Sequence, residues 1–345
     1  MSPLAWTLFL INLITSTTIV MLNHHWLLAW LALELNTLSI LPMIIKQHHP
    51  RATEAATKYF LTQAAAAALI LFTSTVNAWQ TGQWNITISN TPLTTTMITL
   101  ALMLKLGLAP VHFWYPEVLQ GSTLMTALLI STWQKIAPLT LLYTTMPALQ
   151  TNMTLLIGVT STLVGGWAGL NQTQTRKIMA FSSIAHMGWL ITIITMNPGL
   201  TTLTYLMYVT MTSSLFISLN INTTNSIANL STVWSHSPAL LAMMMLTLMT
   251  LGGLPPLSGF MPKWLILKEL AETSLFMLST TMAMASLPSL FFYIRMAYTT
   301  MLTLAPTPTN IKHNWRFKTP HTLMHATTTT TALLLLPIMP LLYTT

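Results

Sequence analysis

The sequence contains no cysteine and no aspartate, and only 5% of its residues are charged. Without thiols there is no disulfide framework, no thiolate zinc site and no cysteine-ligated iron–sulfur cluster. The shortage of charge excludes a water-soluble surface, because soluble domains carry about a quarter charged residues. Acids are scarcest. The carboxylates are Glu34, Glu54, Glu117, Glu269 and Glu272, set against 13 lysines and arginines. The net charge of +8 does not point to nucleic acid, since the bases lie singly or in short loops and form no patch able to track phosphates.

What is present is apolar. Of 345 residues 53% are hydrophobic, and the mean hydropathy is +0.63. A helix crossing a bilayer needs about 20 mostly apolar residues. About eleven such spans are legible, near 3–22, 25–45, 54–78, 94–114, 124–146, 150–170, 176–196, 200–222, 238–270, 275–304 and 324–344. Backbone groups in lipid must be paired within the span, so these are expected to be helices and the chain an all-α membrane protein. Pro3–Leu22 has no basic segment before it and no small-residue cleavage site, and reads as a first spanning helix rather than a cleaved leader. From Ile178 to Pro262 there is no Asp, Glu, Lys or Arg.

Alternating the loops between the two faces places Lys46, Arg51, Lys58, Arg176, Lys177, Lys312, Arg316 and Lys318 on the side of the N-terminus, against Lys268 on the other. By the positive-inside rule the N-terminus faces the negative compartment and the C-terminus, after an odd number of spans, the positive one. Trp26, Trp79, Trp84, Trp114 and Trp315 fall near expected span ends, where an aromatic belt would sit.

Two spans carry helix breakers at their centres: Gly107 with Pro110, and Gly252, Gly253, Pro255, Pro256 and Gly259. Interior proline removes a hydrogen bond, and glycine tolerates irregular backbone. Such backbone survives at membrane depth only inside protein or beside a watery cavity. The breaks lie five spans apart, an odd offset that makes the corresponding helices cross in opposite senses, as in an inverted repeat. The expected organisation is one transmembrane domain, with residues 1–148 and 149–305 as inverted five-helix halves and 306–345 as a loop and an added helix.

Charges inside the spans are the next signal. Glu34 lies midway along the second span, Lys105 just before the first break, Lys135 in the middle of the fifth span, and Lys263 just after the second break. Each central charge costs about 2.5–3.5 kcal/mol on insertion scales. The plain alternative is snorkelling to the interface or a static ion pair. The functional alternative is a set of proton-exchanging groups, with Glu34 and Lys105 as the leading pair. Histidines titrate near neutrality. His186 lies inside the seventh span, the counterpart of the second, and His112 follows the first break. The remaining histidines are expected in or near loops and solvated. His24–His25 and His48–His49 resemble metal ligands only superficially, with no acid or thiol beside them. Dinucleotide loops, P-loops, nucleophile elbows and zinc-protease helices are absent. Gly165-Gly166 with Gly169 reads as close helix packing.

Three segments together carry a resemblance: Leu106-Gly107-Leu108-Ala109-Pro110-Val111-His112-Phe113-Trp114 with Pro116-Glu117-Val118; Asn171-Gln172-Thr173-Gln174 with Arg176-Lys177-Ile178-Met179-Ala180-Phe181-Ser182-Ser183-Ile184-Ala185-His186-Met187-Gly188-Trp189; and Gly253-Leu254-Pro255-Pro256-Leu257-Ser258-Gly259-Phe260-Met261-Pro262-Lys263-Trp264. They resemble the antiporter-like subunits of mitochondrial NADH:ubiquinone oxidoreductase, respiratory complex I, the subunit 2 family in particular. The resemblance implies a core subunit of the proton-pumping arm in the mitochondrial inner membrane, N-terminus on the matrix side and C-terminus on the intermembrane-space side. It implies a Glu34–Lys105 pair, a central Lys135, Lys263 near the second break and His186 as a relay. It also implies antiporter-like neighbours, accessory subunits and lipids such as cardiolipin as partners. No cofactor is expected here; FMN, iron–sulfur clusters and ubiquinone would belong to other subunits. The wider family carries three more N-terminal helices, which this chain is expected to lack. The competing readings are a standalone secondary cation/proton antiporter and a passive scaffold.

Overall fold

Threonine and serine, poor helix formers in water, sit throughout these helices because their hydroxyls bond back along their own backbone. Thr99 donates to Thr96 O, Ser183 to Ala180 O and Thr212 to Tyr208 O, each within 2.9 Å. A hydroxyl satisfied this way adds no unpaired polar group to an apolar surrounding. The computed structural model describes residues 3–46, 48–88, 91–235, 237–301, 316 and 323–338. Lys312, His313, Trp315, Lys318, His321, His236 and the end of the last expected span lie outside the described residues.

The chain divides into two compact units, Met1–Ser161 and Thr162–Thr345. The first holds α1 (Pro3–Leu22), α2 (Trp26–Ile45), α3 (Pro50–Thr81), α4 (Pro92–Leu106), α5 (Trp114–Gly121), α6 (Leu124–Ser131) and α7 (Trp133–Thr144). The division falls within α8 (Thr151–Gly169). The second unit continues with α9 (Thr175–Ile193), α10 (Pro198–Ile221), α11 (Ile227–Thr232), α12 (Pro238–Gly252), α13 (Phe260–Glu272), α14 (Phe276–Met301) and α15 (Leu323–Leu334). Among the described residues there is no strand, only the isolated bridges His25–Asn85 and Gln174–Ser226. Each bridge ties the start of a helix, α2 or α9, to the loop after the next helix in its own unit.

In the first unit α3 packs on α2, α4 and α5, and α7 closes against α1 and α4. In the second, α10 is central, packing on α9, α12, α13 and α15, with α14 against α12 and α13. Outward faces are apolar: Leu8, Ile11, Leu61 and Phe72 in the first unit, Leu206 and Phe291 in the second, are exposed. No water-soluble protein leaves such faces open, whereas lipid covers them. Five of the described helices are long and apolar enough to cross a bilayer unbroken: α1, α2, α3, α10 and α14. α3, with 32 residues, is about 48 Å long and outruns a hydrocarbon core of about 30 Å. Its surplus start carries an ion cluster, Lys58 lying 2.5 Å from both Glu54 and Glu117.

Candidate functional site

The two expected breaks are built alike. α4 stops at Leu106 because Gly107 turns left-handed, with φ +73°, and its N–H bonds to Leu104 O and Met103 O. α12 stops at Gly252 because Gly253 does the same at φ +77°, bonding Met249 O and Thr250 O. A cis proline peptide follows each, at Ala109–Pro110 and Pro255–Pro256. Laid over one another without a gap, the breaks match at Gly107 and Gly253, Leu108 and Leu254, Pro110 and Pro256, and Pro116 and Pro262. α5 and α13 then resume the path. Gly259 is forced by space: a Cβ there would lie 1.8 Å from Thr250 O.

A lysine sits beside each break, buried at the first and half-buried at the second. In the first unit Lys105, on the last turn of α4, is 7% exposed, and its ammonium has no hydrogen-bond partner among the described residues. Lys135 on α7 is 3% exposed and lies 4.9 Å from the centre of the Tyr115 ring, a cation–π contact. Both lysines line one small polar cavity with Tyr59, Gln63, Tyr115 and Gln134. Glu34 is partly buried on α2, and its Oε2 accepts from Thr37 Oγ1 at 3.2 Å. Glu34 and Lys105 make no salt bridge within 4.0 Å. The amides of Asn36 and Gln134 join α2 to α7, Gln134 Nε2 donating to Asn36 Oδ1 at 3.0 Å.

In the second unit Lys263 reaches back from α13 across the break, and its Nζ donates to Gly252 O at 2.9 Å. That carbonyl belongs to the C-terminus of α12, where the helix dipole concentrates partial negative charge and favours a cation. Lys263 lines a second small cavity with His186, Thr204 and Tyr208. The His186 and Tyr208 rings lie 5.7 Å apart. His112 stands apart from both cavities, its Nδ1 3.2 Å from Pro110 O and its ring against Phe113. What each cavity offers chemically is similar: a lysine close to irregular backbone, with hydroxyl, amide or imidazole groups lining the same space.

The family model for the NADH:quinone oxidoreductase/Mrp antiporter membrane region matches residues 23–289, and that for the C-terminus of NADH dehydrogenase subunit 2 matches 290–343. NADH-ubiquinone oxidoreductase chain 2 of Carassius auratus is 53% identical over 345 residues, covering 100% of this chain and 99% of the relative. The chain belongs to the chain 2 family of NADH-ubiquinone oxidoreductase. The same protein of Gallus gallus is 52% identical, covering 100% of this chain and 99% of that one. A chain of respiratory complex I from Thermus thermophilus superposes with a TM-score of 0.87 at 26% identity, over 99% of this chain and 79% of that chain. A chain of the Mrp complex from Dietzia shares the fold, with a TM-score of 0.84 at 14% identity over 97% of this chain and 75% of that one. Like its relatives this is a multi-pass membrane protein of antiporter-like architecture.

Several side chains of this chain 2 protein lie where its sequence did not suggest. Trp26 and Trp114, expected in a belt, are buried; Trp114 donates its indole N–H to Leu104 O at 3.2 Å, locking α5 to the end of α4. Trp79 alone of the described belt residues is strongly exposed, at 88%. His25 and His49 spend their Nδ1 atoms capping α2 and α3, accepting from Leu27 N and Arg51 N. His325, expected in solvent, is buried on α15, which packs against α10 and α12. The fifth expected span is interrupted at Thr132, just before Lys135, between α6 and α7. Pro138 offers no N–H to the carbonyl of Gln134, and Thr132 Oγ1 takes Leu128 O at 2.7 Å. Counted from their caps, α2 and α9 set Glu34 opposite Ser183 and His186 opposite Thr37, one turn further on. Arg295, which carried no signal, donates from α14 to Leu170 O and Gln172 O and so closes the exposed carbonyl end of α8.

Proposed function

We propose that this chain is the antiporter-like membrane subunit of a respiratory NADH:ubiquinone oxidoreductase and moves protons through its two lysine cavities. The carrying observation is the pairing of a lysine, buried in the first unit and half-buried in the second, with a broken helix and a polar cavity. A lysine is too costly at that depth to be idle packing. An irregular backbone beside it supplies carbonyls and room for water without exposing unpaired groups to lipid. Lys105 and Lys135 share one space, so a proton given up by Lys105 under a changed influence of Glu34 has Lys135 as its next acceptor. Lys263 and His186 serve the second unit in the same way. The halves, residues 1–148 and 149–305, are read as an inverted repeat.

Moving one charge against the membrane potential costs about 2.3 kcal/mol per 100 mV. The driving energy therefore comes from electron transfer in other subunits, where we place the flavin, the clusters and ubiquinone. Neighbouring antiporter-like subunits, accessory subunits and anionic lipid complete the surroundings. The basic loops assign the N-terminus to the matrix side of the mitochondrial inner membrane and the C-terminus to the intermembrane space. Lys135→Met in the assembled complex is the test. Fewer protons moved per NADH oxidised supports the reading; an unchanged ratio leaves the chain a scaffold.

A further inference from the structure

Gln63 is the polar side chain that the lysine chemistry leaves unused. It lies about 20 Å along α3 from its first residue, four positions after Tyr59, so both project from one face of the helix. Its nearest buried neighbours along α3 are alanine and isoleucine, Ala55, Ala56, Ala66, Ala67 and Ile70, with the polar Thr73, Ser74 and Asn77 buried further on. Gln63 is 4% exposed, and its amide Nε2 meets no acceptor among the described residues. The Lys105 ammonium, 7% exposed, is in the same position, and both groups open onto the same cavity. Buried donors left unbonded are strongly disfavoured, whereas a polar cavity of sufficient size satisfies them with bound water. Elsewhere in the cavity Gln134 is already committed to Asn36. Gln63 is thus an uncharged group with a free donor on the space that both lysines line.

We propose that Gln63 is a positioning residue, fixing ordered water that links Lys105 to Lys135. An amide suits this task because it both donates and accepts, so it orients water in either direction while neither gaining nor losing a net proton. The proton itself leaves one ammonium, travels along the water hydrogen bonds and ends on the other amine; Gln63 sets the geometry. This rests on the proton-translocation reading given above.

The test uses the assembled complex in vesicles. Gln63→Leu, close in size but without hydrogen bonds, is expected to lower proton output per NADH by about two- to tenfold, the equivalent of one net hydrogen bond, and to raise the solvent deuterium isotope effect on turnover. Gln63→Asn, which keeps the amide, is expected to retain most of the output. Lys135→Met is run beside them. Loss of output in Lys135→Met with normal output and isotope effect in Gln63→Leu overturns the role of Gln63 alone; normal output in both overturns the translocation reading as well. Radiolytic labelling of the wild-type complex in ¹⁸O water decides the matter independently of variant folding. Oxygen incorporation at Tyr59 and Tyr115, which line the cavity, is expected, and its absence at both means a dry cavity and ends the proposal.

Discussion

Lys263 owes its position to a residue that has no side chain. A Cβ on Gly253 would lie 3.0 Å from its Nζ and 3.1 Å from its Cδ, on top of the contact with Gly252 O. Gly253→Ala therefore brings two penalties: the left-handed backbone, worth about 1–2 kcal/mol, and a displacement of the Lys263 side chain, which must give way to the new methyl group. Gly82 separates them, because at φ +72° its Cβ would meet nothing within 4 Å. The two alanine variants are expected to lower thermal stability similarly, while only Gly253→Ala lowers proton output per NADH; equal output in both variants refutes the steric argument. At this scale the charged half of the site was legible, since lysine and glutamate inside an apolar run admit few explanations. Tyr59, Gln63 and Gln134 were not, because a neutral polar residue in a helix takes its meaning from what lies across the space. The one available signal was Gln63 recurring four residues after Tyr59 within an alanine-rich run.

Helices meet closely where glycine removes the side chain between them. On Gly165 of α8 a Cβ would stand 2.7 Å from Ala185 N and 2.9 Å from Phe181 O, both backbone atoms of α9. Backbone cannot step aside as a flexible side chain does, so Gly165→Leu is expected to force the helices apart at a cost of at least about 1–3 kcal/mol. A lower melting temperature of the purified complex, with weakened output because His186 follows Ala185, is the measurable result. The packing role of this glycine run was readable from its spacing. The main breaks were equally readable, since glycine and proline act through the backbone on which they sit. The interruption at Thr132 was hidden because neither glycine nor proline sits at it, Pro138 lying within α7 itself. The α11 turn escaped notice as well, being too short for any periodicity to register.

Across the whole molecule, each compact unit carries its own broken helix, lysine and cavity. A chain containing proton-handling groups but no source of energy is not a pump by itself. The purified chain, reconstituted alone into vesicles, is expected to show no NADH-driven or cation-driven proton flux, and cation-coupled flux would make it a standalone antiporter. The two helix breaks and the lysines beside them were visible in the order of residues along the sequence. What lay beyond reach was the pairing of groups into cavities, which three-dimensional closure decides.

The threonine run of α15 shows what backbone-directed hydroxyls mean for the bilayer. Thr327 through Thr331 all bond carbonyls three or four residues earlier in their own helix. Each exposed one, Thr329 being buried, then offers the acyl chains little besides a methyl group. A stretch that scores as hydrophilic letter by letter is thus greasy in practice, and drift among threonine, alanine and valine on such a surface should pass almost unnoticed by the lipid.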